Sequence, residues 1–222
     1  MKKTFILCLL TLLIGAALGW GVGQFANPAL PRAASPAALI TAPASAALQA
    51  ALDQGDNGPL LERGQAVLKA MKARDYPALA ALAHPEKGVR FTPYSTVDPD
   101  SDLELTSERL AAAGEDSRAY TWGISDGKGS PLVYTIPDYF ALFVFNADYT
   151  TAPLIGVDTV LESGNALENA SDAYPEGRYV EYHFPGLVPE NQGFDWCSLK
   201  LVFEVWENDW YLTGVIHSQW TI

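Results

Sequence analysis

The chain is short of the residues that build most recognisable sites. It has two cysteines, Cys8 and Cys197, and three histidines, His84, His183 and His217, in 222 residues. Two cysteines exclude a small disulfide scaffold and a cysteine-based zinc site. The histidines lie far apart and lack the i, i+4 spacing of a helical metal pair. Basic residues are also scarce, 14 against 26 acids, for a net charge of −12. No basic stripe is present to meet a phosphate backbone, which argues against nucleic acid as a partner. No Gly-x-Ser-x-Gly and no Gly-Lys-Ser/Thr phosphate loop occurs, although Gly123, Gly127 and Gly129 cluster. Asp98, Asp100, Asp102 and Glu104 alternate like a calcium loop, but the sixth position is Leu103 where a glycine is needed. We read an acidic solvated loop there and expect neither metal nor cofactor.

What the chain does have is a hydrophobic fraction of 49%, too high for a wholly disordered polypeptide. Lys2 and Lys3 precede an uncharged stretch whose apolar part runs from Phe5 to Trp20. A basic start before an apolar run is the export pattern. Two outcomes are open: cleavage after a small residue, as at Ala17-Leu18-Gly19, or retention as an anchor, since Phe5 to Phe25 matches the roughly 20 residues a spanning helix needs. Either way the remainder is extracytoplasmic, membrane-anchored or secreted, because the flanking lysines stay inside. Cys8 follows too little apolar sequence for a lipidation signal and reads as a thiol within an apolar helix.

Residues 27–58 are rich in Ala, carry Pro28, Pro31, Pro36 and Pro43, and hold no aromatic residue. That composition buries too little to offset chain entropy, so it reads as a spacer. Residues 1–58 contain Lys2, Lys3 and Arg32 against Asp53 and Asp56, which leaves −13 on residues 59–222. The expected organisation is therefore a signal peptide or anchor (1–26), an Ala/Pro-rich linker (27–58) and one acidic α+β domain (59–222).

Leu60, Leu61, Val67, Leu68 and Met71 recur at helical spacing. Asp75 caps a second helix with Pro77 in its first turn, and His84-Pro85 ends it. At that end His84 reads as a cation on the helix dipole. Val89-Arg90-Phe91 is a short strand. Ser107 caps a third helix, Tyr120–Trp122 and Leu132–Tyr134 form a hairpin, and Thr135 with Asp138 opens a fourth helix. Arg178–Phe184 alternates as a strand, with Tyr179, Glu181 and His183 on a solvated face. Leu199–Trp206 and Trp210–Trp220 form the last hairpin. With Asn208-Asp209 as its turn, Leu201, Phe203, Val205, Leu212 and Ile216 share a core face. Lys200, Val202, Glu204, Trp206, Tyr211, Thr213, Val215 and His217 then occupy the other.

The opening, Val67 to Tyr76, then Leu79–Leu82, His84-Pro85 and Gly88–Phe91, together with the ending Trp210 to Trp220, resembles uncharacterised secreted or membrane-anchored bacterial proteins of the nuclear transport factor 2-like superfamily. The resemblance implies N-terminal helices packed on a curved antiparallel sheet, cone-like, with a pocket at its wide end. That superfamily contains enzymes, transport factors and domains with no known ligand, so the fold leaves function open. No catalytic aspartate of its isomerase branch aligns here.

The pocket candidates are His217, Glu204, Tyr211, Thr213 and Trp206, set together by the hairpin register. His217 reads as a hydrogen-bonded structural residue, with proton transfer as the alternative. Cys197 reads as a buried, inert thiol. The functional expectation is a non-catalytic domain that binds an unknown small molecule or protein. The alternatives are a small pocket enzyme using a lone histidine or carboxylate, and a structural module of the cell envelope.

Overall fold

In the computed structural model, which describes residues 57–221, Leu60, Leu61, Val67, Leu68 and Met71 form the buried face of helix α1 (Gly58–Ala73). Arg74 ends that helix in the left-handed region, and its N–H returns to the carbonyls of Ala70 and Met71. Asp75 then caps α2 (Tyr76–Leu82), its carboxylate accepting the Ala78 N–H at 3.0 Å. The signal or anchor segment and nearly all of the spacer lie outside the described residues. Among the described residues no helix is long and apolar enough to cross a membrane.

A six-stranded curved sheet follows. Its strands are β1 (Val89–Thr92), β2 (Leu103–Leu105), β5 (Leu154–Val157), β6 (Arg178–Phe184), β7 (Cys197–Trp206) and β8 (Asp209–Gln219), in the order β2-β1-β8-β7-β6-β5. A separate hairpin, β3 (Ala119–Ile124) and β4 (Pro131–Thr135), lies outside that sheet. The expectation of a wholly antiparallel sheet is corrected at one seam: β1 and β8 run parallel. The cause is where α2 delivers the chain. The His84 N–H bonds the Leu212 carbonyl at 2.8 Å, so β1 starts beside the start of β8 and runs the same way. Thr106, not Ser107, caps α3 (Ser107–Ala111). Thr135 caps α4 (Ile136–Tyr139) as expected, and the helix continues as a wide π-type turn over Phe140–Val144.

The β7–β8 hairpin decides which residues face where. Its turn is Glu207-Asn208, both at positive φ, one residue earlier than expected. That change slides the pairing by two and keeps the face, so Leu201, Phe203 and Leu212 are indeed in the core. Thr213 is an extra residue between the pairs Phe203↔Leu212 and Val202↔Gly214. This bulge slides the pairing by one and inverts every later side chain of β8. Val215 and His217 therefore turn inward, and Ile216 turns outward, against expectation. Val205 has the inward direction but sits past the end of the core, 54% exposed.

The inner face packs on α1, α2 and an aromatic group. Trp122 and Tyr139 stack with centroids 3.8 Å apart, and Phe91 meets both edge-on. Gly64 of α1 leaves the space that the Tyr182 hydroxyl occupies. These side chains are buried against the inner face of the sheet.

Candidate functional site

The outer face of the sheet is read most simply along β7, whose outward residues are Ser198, Lys200, Val202, Glu204 and Trp206. Val202, with Val97, Ala170, Tyr179 and Ile216, forms a second small core. The segment 158–174, ending in α5 (Ala170–Ala173), straps across it. Asn169 pins the strap to Val97 by two hydrogen bonds, 2.8 and 3.0 Å. The strap divides the outer face into a sealed end and an open end.

At the sealed end Lys200 is fully buried. Its ammonium lies 3.0 Å from Glu168 on the strap, 3.7 Å from Glu181 on β6 and 3.2 Å from the Ser218 hydroxyl. Ser95 donates to Ser218 at 2.9 Å, and His183 Nδ1 lies 2.7 Å from Ser198. Tyr179, Glu181 and His183 are thus not a solvated surface: the strap covers them. Burial raises the Glu181 carboxyl despite the opposing Lys200, and burial, then Lys200, lowers His183 to about 4. A buried charge is retained when it is paired. Here the pairing joins the strap to the sheet, and the cleft that Glu168 and Tyr179 border beside it is small, about 70 Å³.

His217 lies on the inner face, 1% exposed. Its Nδ1 is 3.0 Å from the Pro93 carbonyl and its ring meets Phe143 edge-on. Nδ1–H must donate there, because a carbonyl only accepts. Burial lowers its pKa to about 4, the Pro93 bond opposing and Lys200 assisting. His217 is a neutral core residue and does not join the other four pocket candidates.

Those four gather at the open end. One cleft, about 270 Å³, is lined by Arg90, Val97, Glu104, Tyr174, Thr213 and Glu204. A second, about 360 Å³, is lined by His84, Glu86, Glu176, Trp206 and the same Glu204. The Lys87–Glu204 ion pair, 2.5 Å, stands between them and belongs to both. The Glu204 side chain is 10% exposed, whereas that of Lys87 is 54% exposed. Tyr211 is the cross-strand partner of Glu204. The His84 ring lies edge-on to Trp206 at 5.3 Å and to Tyr211 at 6.3 Å.

His84 corrects a further expectation. Its Nδ1 accepts the backbone N–H groups of Glu86 and Lys87 at 3.2 and 3.1 Å, which leaves the proton on Nε2. Desolvation, followed by Lys87, lowers its pKa. The ring is a neutral turn-former, not a cation on a helix end. Lys87, Arg90, Glu104 and Glu176 were missed by sequence reasoning. They come from three separate segments and meet only because β1 lies beside β8 and the strap returns across both.

A third cleft, about 430 Å³, opens between the β1–β2 loop and the β3–β4 turn and is lined in part by Tyr94, Asp98, Asp102 and Asp126. Asp102 accepts from the Thr92 hydroxyl at 2.6 Å and the Asp98 N–H at 3.0 Å. Burial raises its pKa to about 6 against both hydrogen bonds. Among the described residues no group of His, Cys, Asp and Glu has the arrangement of a metal site.

No family model and no curated protein matches the chain. Among solved structures it is similar to one described as a putative calcium/calmodulin dependent protein kinase II association domain from Xanthomonas campestris. Identity is 10%, the match covers 69% of this chain and 79% of that one, and the TM-score is 0.29.

Proposed function

We propose that residues 57–221 form a non-catalytic binding domain and that the paired clefts at the open end are its binding surface. In this reading residues 1–26 export the domain and, if uncleaved, hold it to the membrane through the 27–58 spacer. The fold belongs to the same reading: helices first, then a curved sheet, as in nuclear transport factor 2-like cones. The observation that carries the proposal is Glu204. It is nine-tenths buried, opens onto two clefts, and is met among the described residues by the half-exposed arm of Lys87. A polar group so placed fixes the orientation of an incoming partner. His183 and His217 are sealed away from that surface, and the His84 ring is committed to backbone.

Fluorine NMR of the full chain, labelled with fluorotryptophan, tests this. The Trp206 resonance is assigned by Trp206→Phe. A pooled set of pentapeptides of every charge type is expected to move Trp206 and leave buried Trp122 in place. A pool that moves no resonance, or only others, defeats the assignment of the surface.

Asp102 favours a second reading, a pocket enzyme with one proton-transferring carboxyl. A carboxyl titrating near 6 in an open cleft suits general acid–base work. In that case a turnover screen finds an activity that Asp102→Asn lowers by about 100-fold while the chain still folds. An activity indifferent to this change removes the second reading.

A further inference from the structure

We propose that the paired clefts take a positively charged stretch of a partner polypeptide, one Lys or Arg side chain of which lies on Trp206 and replaces Lys87 on Glu204. This rests on the clefts being the binding surface and adds the chemistry of the occupant.

The last three rungs of the hairpin are Glu204↔Tyr211, Val205↔Trp210 and Trp206↔Asp209, of which the first and third have their side chains on the outer side. Each of these two pairs one carboxylate with one aromatic ring. Half of this array already holds a cation from within the chain. Arg63 forms an ion pair with Asp209, and its guanidinium carbon lies 5.6 Å from the Tyr211 ring centroid. An aromatic face beside a carboxylate is the combination that attracts guanidinium and ammonium groups. Trp206 and Glu204 repeat it across the strand pair. There, among the described residues, the only ammonium is that of Lys87, at the end of a half-exposed arm.

The exchange of one cation for another is the physical core of the proposal. Removing Lys87 outright would leave Glu204 buried and unpaired, which is strongly disfavoured. An incoming ammonium or guanidinium keeps the carboxylate paired, and Lys87 returns to water. An incoming anion has no such exchange, and it also meets Glu86 and Glu176 at the rim of the second cleft. The charge of −13 on residues 59–222 steers cations toward the domain and repels anions. A polypeptide is favoured over a single small cation by size. Clefts of about 270 and 360 Å³ on either side of the ion pair exceed one side chain, and the first is bordered by Glu104 in its own 3.0 Å ion pair with Arg90.

The test uses the full chain in detergent with three capped pentapeptides, four alanines around a central Arg, Glu or Ala, read by calorimetry and by the Trp206 fluorine signal. The Arg peptide is expected to bind and shift Trp206, and added salt to weaken it. Glu204→Gln should weaken binding by about tenfold or more, the scale of one lost charge pair. Lys87→Met, which keeps the apolar stem and drops the competing ammonium, should tighten it several-fold. Glu115→Gln, an exposed acid elsewhere, should leave it unchanged. Equal binding of the Glu or Ala peptide at Trp206 overturns the charge assignment while the binding surface stands. Arg-peptide binding indifferent to both Glu204→Gln and Lys87→Met overturns it as well. Trp206 unmoved by any of the three peptides and by the pooled set removes the binding surface itself.

Discussion

Lys200→Met removes the only cation that the described residues place at the sealed end of the outer face. The new side chain matches the lysine stem in length, so packing is nearly kept and charge is what changes. Glu168 and Glu181 then lie in the same enclosure with no counter-ion, where they had an ammonium at 3.0 and 3.7 Å. Stranding one partner of a buried pair costs about 3–5 kcal/mol. A loss of that size should appear as a shift in the urea midpoint of the domain with the slope unchanged. The sign of its pH dependence is fixed by Glu181. Its folded pKa is raised above the unfolded value. Its contribution is therefore fully present below the unfolded pKa and is lost as pH rises through the folded one. Without Lys200 the carboxyl is raised further, so the deficit of Lys200→Met should shrink as pH falls into the carboxylate range. Neutralising all three, with Lys200→Met, Glu168→Gln and Glu181→Gln together, should recover most of the loss, since uncharged replacements of a buried ion cluster are often neutral. A loss below about 0.5 kcal/mol for Lys200→Met, the scale of a surface substitution, would refute the sealed network.

Other outcomes follow from the register and the packing. Phe203→Ala should cost about 3–5 kcal/mol, while Val205→Ala, past the end of the core, should stay within about 0.5 kcal/mol by denaturant titration. Gly64→Ala should destabilise the domain, because a Cβ there meets the Tyr182 hydroxyl, and Tyr182→Phe should recover part of that loss in the double variant. Asp102 has a folded pKa raised to about 6, so the stability it confers is lost as pH rises through that value, and Asp102→Asn should remove this step from a plot of stability against pH. Protease added to intact cells should cleave first between Asn27 and Pro59; protection until lysis would contradict export.

Local signals were legible wherever one short segment determines its own structure. The apolar stripe of α1, the Asp75 cap, the Thr135 cap and the strands of the last hairpin all lie where patterning and capping place them. The hairpin also shows where legibility stops. A turn displaced by one residue slid the register by two, which a period of two does not notice, so Leu201, Phe203 and Leu212 kept their face. The bulge at Thr213 slid it by one and reversed Val215, Ile216 and His217. Thr213 is an ordinary strand residue, so nothing in the local pattern announces the bulge. The candidate site was half legible for the same reason. Glu204, Tyr211, Thr213 and Trp206 come from one hairpin, whereas Lys87 arrives through a parallel strand pairing and Glu176 through the turn that follows a strap without periodicity. The strap also explains Glu181 and His183: alternation identified their face but not what covers it.

The binding role of the open end is tested most directly by a photo-crosslinking residue placed at Val205 in intact cells, with Val133 of β4 as an equally exposed comparison. Val205 lines the second cleft. The expected result is a discrete adduct from Val205 that disappears when Glu204→Gln is added, and none from Val133. Adducts of equal yield from both positions, or a Val205 adduct indifferent to Glu204→Gln, would contradict it.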